Sequence, residues 1–174
     1  MMEKELISKM KLPKLITFSI ALFASCICNA EQDAKLDMLL SLVKPTVLKL
    51  QIAPTRSEPV IYELTRGTNP ELKITRYEGL GGYEWGEIEK EYTVVITVGE
   101  NKKILSLLDQ ALDLPLRDKT MGKDGSIWIL ESRLYGYAKI SIWSPEHKTA
   151  SRGYTSLVSL ESYLSSLNSK YETK

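Results

Sequence analysis

A chain of 174 residues with 23 Lys and Arg against 22 Asp and Glu has an almost balanced charge, and the basic residues form no block. Nucleic acid is therefore a poor candidate partner, because its phosphates are bound by clustered positive charge. A zinc site takes two or three His or Cys ligands, and beyond residue 30 the chain offers one histidine and no cysteine. We expect neither a metal nor a cofactor.

Residues 1–30 have the organisation of a bacterial export signal. Several lysines precede an apolar run at 15–27, which is long enough for a signal peptide and too short to span a membrane. Small residues stand before Glu31, so the pattern predicts cleavage there, with Met1 or Met10 as the start of the chain. Export would place the protein in the periplasm or outside the cell. The competing interpretation is a buried N-terminal helix.

A second pattern inside this segment predicts a different processing. Phe23-Ala24-Ser25-Cys26 resembles a bacterial lipobox, although Phe23 stands where that motif prefers Leu. The resemblance implies that Cys26 becomes the lipid-bearing first residue and anchors the domain to a membrane without spanning it. Both cysteines lie before Glu31. After cleavage there, the domain has no disulfide, no thiolate metal site and no cysteine nucleophile.

The remainder of the chain, residues 31–174, predicts a single α+β domain. Apolar residues recur at helical spacing in the segments 31–43, 101–112 and 154–167. β-Branched and aromatic residues mark six strand segments, which are 46–53, 60–66, 71–77, 92–98, 127–131 and 137–143. Short turns join most of them. This order favours an antiparallel sheet of about five or six strands, with two or three helices packed mainly on one face.

The stretch 124–145 is central to this prediction. Its two strand segments are joined by a short break that contains Gly136, a pattern typical of a β-hairpin. Both segments are apolar on both faces, whereas a strand with one solvated face alternates apolar and polar residues. The hairpin is therefore expected in the middle of the sheet. A glycine-rich connection at 79–91 is expected to cover part of its second face.

The same stretch carries a resemblance to a family. Asp124-Gly125-Ser126, Trp128 and Glu131, followed by Trp143-Ser144-Pro145-Glu146, form a D-G-S-x-W-x-x-E … W-S-P-E pattern. It resembles a pattern in small exported bacterial proteins of uncharacterised function. The resemblance covers only the C-terminal part of the chain. It supports the fold prediction and implies no activity.

Glu131 is the candidate catalytic acid. It ends an apolar strand segment and shares a face with two isoleucines, surroundings that raise the pKa of a carboxyl and suit a general acid. A glycosidase needs a second carboxylate at a set distance, for which Asp124 and Glu84 are candidates. The alternative is that Glu131 reaches solvent or pairs with Arg133 or Lys139.

Tyr83 and Trp85 are the candidate binding residues. They stand among glutamates in the glycine-rich connection, whose glycine spacing does not match a phosphate-binding loop. Exposed Tyr and Trp side chains amid acids bind cationic partners or stack on sugars. The alternative is that Trp85 caps the core beneath a flexible loop.

Two functions from different classes follow. The preferred one is a non-enzymatic exported domain that binds a protein or another component of the bacterial envelope through Tyr83 and Trp85. The alternative is an envelope hydrolase that acts on cell-wall or glycan material, with Glu131 as its general acid. His147 lies alone in a polar loop, and the chain has no G-x-S-x-G elbow, so the sequence does not indicate a Ser-His-Asp triad.

Overall fold

The computed structural model describes residues 45–114, 118, 120 and 122–172. The predicted signal segment 1–30, the lipobox at Cys26 and the predicted helix 31–43 lie outside these residues. In chain order the elements are β1 (Thr46–Pro54), β2 (Val60–Thr65), β3 (Glu71–Tyr77), β4 (Ile88–Val95), α1 (Val98–Ala111), β5 (Ser126–Ser132), β6 (Ala138–Trp143) and α2 (Thr155–Glu172).

The six strands form one antiparallel sheet in the order β4-β3-β2-β1-β5-β6. Strands β1 to β4 follow one another as a meander. Helix α1 then carries the chain to the other side of β1, where β5 and β6 form the predicted hairpin. The α+β class and the predicted sheet are confirmed.

The boundary between β4 and α1 differs from the prediction because of a helix cap. Thr97 Oγ1 accepts a hydrogen bond from the Glu100 backbone N–H at 3.2 Å, and the Glu100 carboxylate accepts one from the Thr97 N–H at 2.7 Å. This reciprocal capping box fixes a helix start. The β-branched run that predicts a strand over 92–98 therefore ends early, and Val98 begins the helix.

One face of the sheet forms the core with both helices. In register, Leu50 lies between Tyr62 on β2 and Leu130 on β5, and all three are buried. Trp128 on β5 is buried too, with 5% of its surface exposed. The helices add an apolar stripe to the same cluster: Ile104, Leu107, Leu108, Ala111, Leu157, Leu160, Leu164 and Leu167.

The prediction that the hairpin lies in the middle of the sheet is wrong. β5 is an interior strand, but β6 pairs only with β5 and forms an edge of the sheet in the described part of the chain. On the face away from the core, called here the outer face, Ile127 keeps 48% of its surface exposed. Ile129 is half-buried and lies opposite Gln51 and Ser141 in the register. An apolar run thus marks a strand without showing whether a second layer covers it.

Candidate functional site

Residues 78–87, called here the glycine loop, form an ordered hairpin tip between β3 and β4. The Gly79 N–H donates to the Trp85 carbonyl at 2.7 Å, and the Leu80 N–H donates to the Glu84 carbonyl at 3.1 Å. The connection expected over 79–91 is shorter than predicted, because residues 88–91 belong to β4. Backbone hydrogen bonds continue the β3–β4 ladder beyond the strands.

Gly81 fixes the glycine loop against the turn between β1 and β2. Its N–H donates to the Ser57 carbonyl at 3.1 Å, and a Cβ at this position would lie 2.4 Å from the backbone carbon of Ala53. No larger residue fits that approach without moving the backbone. The loop thus rests on the β1–β2 turn at the Pro54 end of β1.

The two candidate binding residues have different surroundings in the glycine loop. Tyr83 is 73% exposed at its tip. Trp85 is half-buried and packs edge-on against Tyr77, with ring centroids 5.1 Å apart. Neither belongs to the main core cluster, so Trp85 braces the loop rather than capping the core. The exposed side chains of Glu84 and Glu87 lie in the same loop.

Glu131 is ion-paired, as the alternative interpretation of this residue proposes. Its carboxylate lies 3.0 Å from Lys139 Nζ on β6 and accepts a hydrogen bond from the Tyr137 hydroxyl at 3.3 Å. The hydrogen bond from Lys139 lowers the pKa of Glu131 and outweighs burial, which raises it. The raised pKa expected from apolar surroundings is therefore wrong. Glu131 is held as an anion.

Neither acid suggested as its partner lies near Glu131. Asp124 precedes β5 and pairs with Arg56 at 3.0 Å. The strand from Ser126 to Glu131 alone covers about 16 Å, beyond the carboxylate spacing of about 5–10 Å that glycosidases use. Glu84 lies in the glycine loop, at that same far end of the sheet.

The acid nearest to Glu131 in the register is Glu63, which no motif in the sequence marks. Lys49 on β1 lies opposite Glu131 on one side and Glu63 on the other. Two strand spacings place the two acids about 10 Å apart. Between them lies a pocket of about 200 Å³, lined by Thr46, Lys49, Glu63, Glu131, Ser132, Arg133 and Tyr137.

Four residues of the D-G-S-x-W … W-S-P-E pattern meet in one hydrogen-bonded network. Ser126 Oγ donates to Glu146 at 2.7 Å and accepts from Trp128 Nε1 at 2.8 Å. The Ser126 N–H donates to Ser144 Oγ at 2.8 Å. A Cβ on Gly125 would lie 2.1 Å from that same oxygen, so a larger residue there would displace the Ser144 side chain. These residues tie the start of β5 to the loop that follows β6, which is a structural role.

His147 and the acids form no metal-binding cluster in the part of the chain that the structure describes. His147 is exposed, and its ring lies edge-on to Trp143 with centroids 6.5 Å apart. Within residues 45–114, 118, 120 and 122–172, no group of three His, Cys, Asp or Glu residues is arranged to hold a metal ion. Among the same residues, neither helix has the length and apolar character needed to cross a bilayer.

Comparisons of the chain with family models, with curated proteins and with solved structures find no match.

Proposed function

We propose that the chain is a non-enzymatic binding domain exported to the bacterial envelope, where it engages a protein or another envelope component through the glycine loop. The observation that carries this proposal is Tyr83, whose ring is 73% exposed on a hairpin tip held by backbone hydrogen bonds. A loop backbone that is ordered before binding loses little conformational entropy on binding, and a Tyr side chain has only two χ angles to fix. The neighbouring glutamates favour a partner that presents cationic groups.

The state of Glu131 favours binding over hydrolysis. A general acid must be protonated near the working pH, which requires a raised pKa. Lys139 holds Glu131 in the opposite state, with a lowered pKa. Its nearest carboxylate in the register, Glu63, pairs with Lys49 at 3.3 Å. Both acids therefore behave as members of a charged sheet surface rather than as a catalytic pair.

Export is part of the proposal and rests on the pattern of residues 1–30. Intact-mass analysis and cell fractionation test it. We expect a mature chain that begins at Glu31, or a lipid-bearing one that begins at Cys26 and fractionates with membranes. A cytoplasmic protein that retains the segment up to Ala30 would contradict export.

Affinity capture from envelope extract tests the binding surface. The parent chain is compared with a variant that carries Tyr83→Ala and Trp85→Ala. The matched control is Tyr135→Ala, because Tyr135 is 78% exposed on the β5–β6 turn, away from the glycine loop. Aromatic anchors dominate contact energies, so the double variant should weaken capture by roughly 2 kcal/mol or more.

The control variant should capture the same partners as the parent chain. Thermal unfolding of each variant shows whether a loss of capture follows from a loss of fold. If the folded Tyr83 and Trp85 variant captures what the parent captures, the glycine loop is not the binding surface.

A further inference from the structure

The outer face of the sheet carries a row of alternating charge across five strands. Residues opposite one another in the register are Lys139, Glu131, Lys49, Glu63 and Lys73. Side chains opposite each other on neighbouring antiparallel strands have Cβ atoms about 5 Å apart. Each interior charge of the row therefore has a neighbour of opposite sign on both sides, and it can pair with either.

Not every pair of neighbours in this row forms an ion pair. Glu131 pairs with Lys139 at 3.0 Å, and Lys49 pairs with Glu63 at 3.3 Å. Glu131 and Lys49 lie opposite each other, yet they form no ion pair in the described structure. Their side chains lean towards opposite edges of the sheet, and the 200 Å³ pocket lies where they part.

A cation at the rim of this pocket has no acidic partner among the described residues. The Arg133 guanidinium lies 5.0 Å from the centroid of the Tyr137 ring and makes no ion pair with any described residue. A guanidinium presents five N–H donors in a planar fork that fits a carboxylate. On the far side of Lys49, the Glu63 carboxylate pairs with Lys49 through Oε1 at 3.3 Å, and a carboxylate can accept further hydrogen bonds from a ligand.

The balance of charge restricts what the pocket can hold. Its lining has two cations, Lys49 and Arg133, and two anions, Glu63 and Glu131. A phosphate would meet two carboxylates, and a polyamine would meet two cations, so either ligand is opposed by like charge. A ligand with one charge of each sign avoids both conflicts.

We propose that this pocket binds a small zwitterion, either a free amino acid or a short peptide with free termini. Its carboxylate lies against Arg133, its ammonium lies against Glu63, and Tyr137 covers its apolar part. The pocket is at the Thr46 end of β1, whereas the glycine loop is at the Pro54 end. The site is therefore separate from the glycine loop, and an experiment can refute one proposal without refuting the other.

Titration of the isotope-labelled full chain, followed by NMR, tests the proposal with defined probes. L-alanine and L-alanyl-L-alanine should each shift the backbone amide signals of Lys49, Glu63 and Arg133 in a saturable way. The two probes differ in the distance between ammonium and carboxylate. The probe that binds more tightly therefore shows whether the pocket is suited to a free amino acid or to a short peptide. N-acetyl-L-alanine, L-alanine methyl ester and inorganic phosphate should bind more weakly.

Two charge-neutralising variants check the assigned contacts. Arg133→Gln and Glu63→Gln should each weaken binding of the better probe by about tenfold or more, as expected for a lost charge-assisted contact. The control Arg56→Gln removes another exposed arginine, which pairs with Asp124 at the far end of the sheet, and it should bind like the parent. The proposal is overturned if the zwitterions cause no saturable shift, if a blocked derivative or phosphate binds as tightly, or if folded Arg133→Gln binds like the parent.

Discussion

The capping carboxylate of Glu100 gives the sharpest test of what holds the two helices together. It accepts hydrogen bonds from Lys170 Nζ at 2.6 Å and from the Tyr171 hydroxyl at 2.9 Å, both near the end of α2. It also accepts from the N–H of Thr97 at 2.7 Å, at the start of α1. Replacing it by glutamine, as Glu100→Gln, keeps the shape and removes the charge.

The expected loss follows from the pKa of Glu100. Burial alone raises this pKa, but the hydrogen bonds from Lys170, Thr97 and Tyr171 together lower it from 4.5 to about 2. A shift of this size corresponds to about 3 kcal/mol of folding free energy at neutral pH. We therefore expect Glu100→Gln to lower the free energy of unfolding by about 2–3 kcal/mol at pH 7.

The same shift fixes the direction of the pH dependence. Because the pKa of Glu100 is lowered in the folded state, its contribution is complete above pH 4.5 and is lost as the pH falls towards 2. Urea unfolding, followed by circular dichroism at neutral and acidic pH, measures both effects. The difference between the parent and Glu100→Gln should shrink as the pH falls through this range.

A matched control separates this effect from general surface charge. Glu58 is exposed and forms no ion pair within the described residues, so Glu58→Gln should change the free energy of unfolding by less than about 0.5 kcal/mol. If Glu100→Gln costs no more than Glu58→Gln, or if its cost does not depend on pH, the carboxylate does not link the two helices as described.

Three further substitutions test other parts of the structure. Trp128→Ala should lower the free energy of unfolding by about 3–5 kcal/mol, because it empties a buried site; a loss below about 1 kcal/mol in urea unfolding would contradict that placement. Gly81→Ala should cost about 1–3 kcal/mol through backbone overlap, whereas Gly67→Ala, with no atom nearer than 4.0 Å, should not. Glu131→Gln breaks a partly exposed pair with Lys139 and should cost less than about 1 kcal/mol, with partner capture unchanged; a large loss of capture would move the binding surface to the pocket.

The sequence predicts those strands and helices whose position is determined by a local pattern of residues. Strands β1 to β3 lie close to the predicted segments, and the hairpin β5–β6 follows its two β-branched and aromatic runs and the turn residues around them. The apolar stripe of α2 follows helical spacing. The start of α1 was not predicted, because Val98 continues a β-branched run. The reciprocal bonds between Thr97 and Glu100 override that local preference.

The contacts around Glu131 depend on strand order, which local pattern does not contain. Its pairing with Lys139 lies within one hairpin, so the sequence offers it as an alternative. Its relation to Lys49 and Glu63 arises only because β5 returns beside β1 after α1. The sequence shows outward-facing charges of opposite sign on three strands. It does not show which strands are neighbours, so the contact between these charges could not be predicted.

The central claim, that Tyr83 contacts a partner in the envelope, is tested most directly by photo-crosslinking in intact cells. A photoreactive benzoylphenylalanine replaces Tyr83 in one sample and Tyr135 in another, so that equally exposed tyrosines at different sites are compared. We predict a discrete crosslinked product that depends on light and forms only from position 83. Absence of a product at position 83, or the same product from both positions, would contradict the proposed binding surface.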